Sequence, residues 1–238
     1  MKNLILLLGI GLIGIGCKKT HQSNQEDEEY RVPVATDSTT ILAMKTTSES
    51  IAMANGFEHW RKVKKLEFTF NVDRDTTHFE RSWVWMPKTD QVTLITAKDT
   101  VTYLRNQIDT ISEKTDRAFI NDKFWLCTPF QLMWDAKSFT SHHQLKAIAP
   151  ISGESMQKLT ITYKKEGGYT PGDAYDLYFK GDFILREWSF RKGNEKEPSM
   201  STTWEDYQNF NGIKIAKTHK KGQEDWKLYF TDVTIELE

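Results

Sequence analysis

The 238 residues include only two cysteines, Cys17 and Cys127, and six prolines. Two cysteines cannot build the disulfide framework on which small secreted domains rely, and modification of one would leave the other without an intramolecular partner. The sequence has no run of the ~20 apolar residues that a bilayer-spanning helix needs. The stretch from Leu4 to Gly16 is thirteen residues, broken by Gly9, Gly11, Gly14 and Gly16. Neither sign of charge is in excess: without Lys2, the only charge in residues 1–16, the 32 basic residues fall to 31 against 33 acidic, a net charge of −2. With no clustered basic stretch, nucleic acid is not an expected partner, and no polybasic patch is offered to anionic lipids.

Reaction signatures are missing as well. There is no Gly-x-Ser-x-Gly elbow, no His-Glu-x-x-His, no phosphate-cradling glycine loop and no paired CxxC. His142 and His143 are adjacent, so on regular structure they point apart, and with Asp135 they fall short of the three or four converging ligands a metal needs. Asp173 and Asp176, or Glu205 and Asp206, could pair as acid and base, but turn chemistry and a solvated strand face account for them. Cys127, set in Phe-Trp-Leu-Cys-Thr-Pro-Phe, reads as a buried inert thiol rather than a nucleophile. The expectation is a protein that is not an enzyme, with no metal and no cofactor.

What the sequence does have begins at the N-terminus. Lys2, the apolar stretch and the small residues before residue 17 are the parts of a secretory signal peptide, residues 1–16. Ile15-Gly16-Cys17 resembles the lipobox of bacterial lipoproteins, in which the cysteine is acylated, although Gly14 stands where leucine is usual. An ordinary secretory signal with a coincidental cysteine is the alternative. Acylation at Cys17 would hold the protein on a membrane surface without a spanning helix. Residues 17–37 then form the lipidated cysteine and a polar tether containing Gln-Glu-Asp-Glu-Glu. Residues 38–238 form a single domain, placed by its anchor in the cell envelope, at the outer membrane.

The domain changes period once. Asp37 and Ser38 offer N-caps, Ile41, Met44, Ser48, Ile51 and Ala54 recur at helical spacing, and Asn55-Gly56 supplies a stop. Phe57, Trp60 and Val63, spaced by three, suggest a further short turn of helix. From Lys65 the period is two. Leu66, Phe68, Phe70 and Val72 alternate with polar residues, and similar runs at 81–86, 91–97, 100–104, 159–163, 175–180, 183–191, 202–210, 213–217 and 226–237 bring the expected total to roughly ten strands. Asn211-Gly212 is a strong hairpin signal of the type I′ kind, and Thr170-Pro171-Gly172-Asp173 fits a type II turn. Between Ile111 and Leu145 the chain is apolar without alternation, which predicts one or two helices kinked near Pro129. The expected class is α+β: a strongly curled antiparallel sheet, with the N-terminal helix and the helical insert packed on its concave face.

Several stretches carry a resemblance: Ala54-Asn-Gly-Phe-Glu-His-Trp60 with Leu66-Glu-Phe-Thr-Phe70, then Gly167-Gly-Tyr-Thr-Pro-Gly-Asp-Ala-Tyr-Asp-Leu-Tyr178, and Trp204-Glu-Asp-Tyr-Gln-Asn-Phe-Asn-Gly212. They are similar to an uncharacterised group of Gram-negative surface lipoproteins. The order of helix, meander, helical insert and second run of strands resembles the half-barrel of the bacterial lipoprotein-localisation carrier and receptor superfamily (LolA/LolB-like), from about residue 38 to the C-terminus. That resemblance implies an apolar concavity for acyl chains under helices acting as a lid. An anchored chain suits a receptor or resident binder better than a shuttle.

Large aromatic residues mark where such a concavity would lie: Trp83, Trp85, Trp188, Phe190 and Trp204 on strands, Trp125 and Trp134 on the insert. A cavity so lined accepts an apolar ligand with few polar anchors, here an acyl chain or a lipoprotein. Side chains can equally fill the interior, and then the protein is an adaptor or structural lipoprotein of an envelope complex. A hydrolase has least support.

Overall fold

The computed structural model describes residues 45–238. The signal stretch 1–16, Cys17, the tether to residue 37, and the part of the expected first helix that includes Ile41 and Met44 lie outside them.

Within the described residues the first helix, α1 (Thr47–Ala54), is capped by Thr46 rather than by Asp37 or Ser38. Thr46 Oγ1 accepts from Glu49 N at 3.2 Å, and Glu49 Oε2 accepts from Thr46 N at 2.6 Å, a reciprocal capping box. Ile51 is fully buried. A 3-10 helix, Phe57–Lys62, follows the stop at Asn55-Gly56, in line with the spacing of its apolar residues.

Four strands then run as a meander: β1 (Val63–Arg74), β2 (Thr77–Met86), β3 (Gln91–Ile95) and β4 (Thr100–Leu104). The insert is one helix, α2 (Glu113–Trp134), whose regular dihedrals fail at Cys127 (φ −115°, ψ 15°) two residues before Pro129. A proline inside a helix gives no N–H to the carbonyl four residues back and crowds it, so a kink here is its direct consequence. Eight more strands complete the chain: β5 (Phe139–Ile148), β6 (Ser155–Tyr163), β7 (Ala174–Phe179), β8 (Leu185–Arg191), β9 (Met200–Thr203), β10 (Glu205–Phe210), β11 (Ile213–Lys220) and β12 (Trp226–Leu237).

The α+β class holds, but among the described residues the single curled sheet of about ten strands is replaced by twelve strands in two antiparallel sheets. One is seven-stranded, in the order β10-β11-β12-β1-β2-β3-β4; the other is five-stranded, β5-β6-β7-β8-β9. Two local causes explain the difference. The run 202–210 is not one strand: Trp204, buried, donates its amide to Arg186 O at 2.7 Å, and after it the chain leaves β8 and pairs with β11. β5 begins within the stretch expected to be helical, and most of its residues are exposed, so it carries no apolar alternation.

The end of β11 meets the end of β9. Lys220 N donates to Thr203 Oγ1 at 3.0 Å, and His219 Nδ1 donates to Thr203 O at 3.1 Å. His219 is fully buried against Trp204 (ring centroids 4.5 Å apart), and burial pushes its pKa down to about 3.

Helix α2 packs on aromatic residues from both sheets. Phe119 lies against Trp83 and Trp85 of β2, while Phe124 and Trp125 lie against Trp188 of β8. Polar latches fix its register. Asp122, fully buried, accepts from Arg81 Nε at 2.5 Å, Arg81 Nη2 at 2.6 Å and Trp83 Nε1 at 2.8 Å. Asp116 accepts from Arg105 Nε at 2.7 Å and Tyr103 Oη at 3.1 Å. A buried carboxylate is tolerable only when paired and hydrogen-bonded in this way.

Candidate functional site

The seven aromatic residues expected to line a cavity divide into two groups. Trp125, Trp188 and Trp204 are buried in one chain of ring contacts, Trp125 to Trp188 at 4.5 Å and Trp188 to Trp204 at 5.8 Å. Half-buried Phe190 joins this group through Tyr175 at 5.2 Å, and Trp83 is buried under Phe119 at 5.4 Å. Here the side chains of α2 occupy the space between the sheets. Of the seven, only Trp85, 5% exposed, and half-buried Trp134 line the groove described next.

That space is a groove of about 540 Å³ beside α2. Its walls are Trp60 and Arg61 of the 3-10 helix, Trp85 of β2 and the β2–β3 turn, Arg105 after β4, one side of α2, and Tyr169 in the β6–β7 loop. The volume falls within the range of ligand pockets, ~300–1,000 Å³. Three tryptophans form its apolar wall: Trp60 to Trp134 at 4.9 Å, Trp60 to Trp85 at 5.9 Å, and Trp85 to Trp134 at 5.9 Å. Tyr169 is held by stacking on Phe124, centroids 3.8 Å apart with 9° between the planes, and by its hydroxyl donating to Asn121 Oδ1 at 3.1 Å. The turn that carries it is the expected one: Gly172 has φ +85°, and Asp173 N donates to Thr170 O at 3.1 Å.

Lys123 is the residue that sequence reasoning passed over. It is only 7% exposed, lines the groove, and holds Nζ 5.3 Å from the Trp85 ring centroid and 5.0 Å from that of Trp134. Among the described residues no carboxylate pairs with it and no hydrogen bond to Nζ forms. The nearby acids are engaged elsewhere: Asp116 with Arg105, Asp135 with the hydroxyl of Tyr163 at 2.9 Å, and Glu238 with Lys88. Burial pushes the ammonium pKa down to about 8, against smaller opposing pulls from Cys127, Asp135 and Asp116. The available signal was a lone cation within Phe-Ile-Asn-Asp-Lys-Phe-Trp, where Asp122 faces away to Arg81.

The enzyme-like candidates are separated or occupied. His142 is exposed, while His143 bonds Thr47 Oγ1 at 3.1 Å and Gln157 Oε1 at 3.0 Å. Asp176 accepts from Thr160 at 2.5 Å and Arg191 at 2.9 Å, Asp173 from Gly193 N at 2.7 Å, and Glu205 pairs with Lys220 at 2.8 Å. Asp206 lies 3.9 Å from Lys217. Among the described residues no three His, Cys, Asp or Glu side chains cluster as a metal site would require. Cys127 is fully buried, its thiol pKa pushed up to about 12 by burial, which leaves it unreactive.

No protein-family model and no curated protein matches the chain. Solved structures do. A LolA superfamily protein from Nitrosomonas europaea matches with a TM-score of 0.49 and 10% identity, over 81% of this chain and 94% of that one. A DUF1329 family protein from Desulfovibrio piger matches with a TM-score of 0.46 and 12% identity, over the same shares. The chain thus resembles LolA superfamily proteins. At that distance the groove, not the likeness, carries the functional reading.

Proposed function

We propose that this protein is a lipid-anchored, non-enzymatic lipoprotein of the cell envelope that binds an apolar ligand, an acyl chain or an acylated partner, in the groove beside α2. The observation that carries the reading is the groove lined by Trp60, Trp85 and Trp134, whereas Trp83, Trp125, Trp188 and Trp204 are buried in ring contacts and do not line it. Tryptophans lining a groove provide apolar area for a chain and little polar chemistry for a reaction. Of the seven residues nominated from sequence, Trp85 and Trp134 are the proposed contacts. The remaining five do not line the groove. Among the described residues no helix is long and apolar enough to cross a membrane, so the proposed attachment rests on Cys17.

The test is calorimetric titration with dodecanol, a neutral single-chain probe, alongside thermal melting. Binding should show a negative heat-capacity change and raise Tm, because apolar surface is covered in the folded state only. Ile120 is half-buried on the groove wall, so Ile120→Trp should fill the space and abolish binding with Tm unchanged within a few degrees. Absence of dodecanol binding by the unmodified protein would refute the groove. The adaptor reading would then take its place, favoured by the filled interior and by Leu145 and Ile148, 75% and 67% exposed on edge strand β5.

A further inference from the structure

We infer that the groove's ligand is a single-chain amphiphile with a carboxylate head, seated with that head on Lys123 Nζ and its chain along Trp60, Trp85 and Trp134. The inference rests on the groove being the binding site, and it adds the charge and chemistry of the ligand's head.

A cation taken out of water is normally matched by a carboxylate, because desolvation without a partner is strongly unfavourable. Asp122 and Asp116 obey the rule on the same helix, each held by an arginine. Lys123 does not, and the two indole faces beside it offset only part of its lost hydration. Trp85 Nε1, on one of those rings, is also buried without an acceptor. Among the described residues the groove wall therefore holds one ammonium with no carboxylate to receive it, beside three tryptophans.

The charges around the groove set the sign and size of the head. Arg61 is exposed at the rim and has no ion-pair partner among the described residues, whereas Lys88 and Arg105 are paired with Glu238 and Asp116. A cationic head would meet Lys123 and Arg61. A neutral head would leave the ammonium as it is. One buried cation is matched by one negative charge, which is a carboxylate rather than a doubly charged phosphate monoester.

The test compares dodecanoate, dodecanol and dodecyltrimethylammonium by calorimetry on the full chain, below their micelle-forming concentrations. Dodecanoate should bind roughly ten- to a hundredfold more tightly than dodecanol, the worth of a hydrogen bond to a charged group, and the cation should bind worst. In Lys123→Met, which keeps the length of the side chain between the two indoles, the preference should vanish while dodecanol affinity is kept. Arg61→Gln should leave most of the preference intact. A second readout needs no mutation. At pH 9 the free groove holds Lys123 largely neutral, so dodecanoate should take up close to one proton on binding, visible as a dependence of the heat on buffer ionisation. The other groups facing Nζ are engaged elsewhere: Arg105 with Asp116, Asp135 with the Tyr163 hydroxyl and Lys88 with Glu238, while burial pushes the Cys127 thiol up to about 12. Equal binding of dodecanoate and dodecanol overturns the inference and leaves the groove standing. A preference that survives Lys123→Met, or binding without proton uptake, overturns the role of Lys123. Failure of both probes overturns the groove itself.

Discussion

Lys123 makes the stability of the ligand-free protein depend on pH in an unusual direction. Its folded pKa, about 8, lies below the ordinary lysine value of 10.5, so between the two the unfolded chain binds a proton that the folded chain does not. Stability must then rise with pH across that window, and the penalty for holding the charge is greatest below pH 8. Cys127 limits the upper side: its folded pKa of about 12 exceeds the ordinary value of 9.0, so above pH 9 the unfolded thiol ionises first and stability falls again. Between pH 7 and 9 the lysine should therefore add about 1 kcal/mol. Denaturant melts should show this rise in the unmodified protein and a flat profile in Lys123→Met, which should also be the more stable of the two at pH 7. A profile equally steep in both would place the titration elsewhere. At this scale the sequence was half legible. Large aromatic side chains point to where a protein is apolar, but whether a ring is covered depends on which helix residue reaches it, and the spacing in the sequence does not contain that. Trp85 and Trp134 line the groove; Trp83, two residues before Trp85 on the same face of β2, is closed off by Phe119.

Among the elements, two of the stretches that carried the resemblance touch one another. Gly56 follows α1 with φ +89°, and a Cβ placed there would lie 2.0 Å from Gly212 O, the carbonyl of the hairpin glycine between β10 and β11. Asn55 O accepts from Lys214 N at 2.9 Å beside that contact. The glycines are thus required twice, for backbone conformation and for close approach. Gly56→Ala should destabilise by about 2 kcal/mol or more, combining left-handed strain with the displacement of a backbone it cannot avoid. Gly153→Ala is the control: its φ is +71°, but nothing lies within 4 Å of the added carbon, so only the strain should appear in chemical melts. Equal losses at the two positions would mean that the contact between hairpin and helix end contributes nothing. Elements with a firm period were legible: the meander, the Asn211-Gly212 turn and the kink near Pro129 all stand where the pattern puts them. β5 was not, because an edge strand with one face in water and little on the other to bury leaves almost no apolar signal. The break at Trp204 was hidden because no glycine or proline between Thr202 and Phe210 marks where the chain passes from one sheet to the other.

For the whole molecule, anchoring and binding should be separable. Among the described residues, every one that lines the groove lies between Trp60 and Tyr169. A groove complete without its anchor should keep its affinity when the anchor is lost, whereas a protein that relied on acylation to fold or to fill its own cavity would not. Cys17→Ser, expressed in a Gram-negative host from the full sequence, should abolish labelling by a fatty-acid probe and move the protein from the membrane to the soluble fraction, because a single secretory signal leaves no second attachment. The same purified variant should melt within a degree or two of the acylated protein in detergent-free comparison and bind dodecanol with unchanged affinity. Retention of Cys17→Ser on the membrane would refute the lipoprotein reading. Release accompanied by loss of binding would instead tie the groove to the anchor, and the acyl chains at Cys17 would then be the first candidates for the ligand that Trp60, Trp85 and Trp134 are arranged to hold.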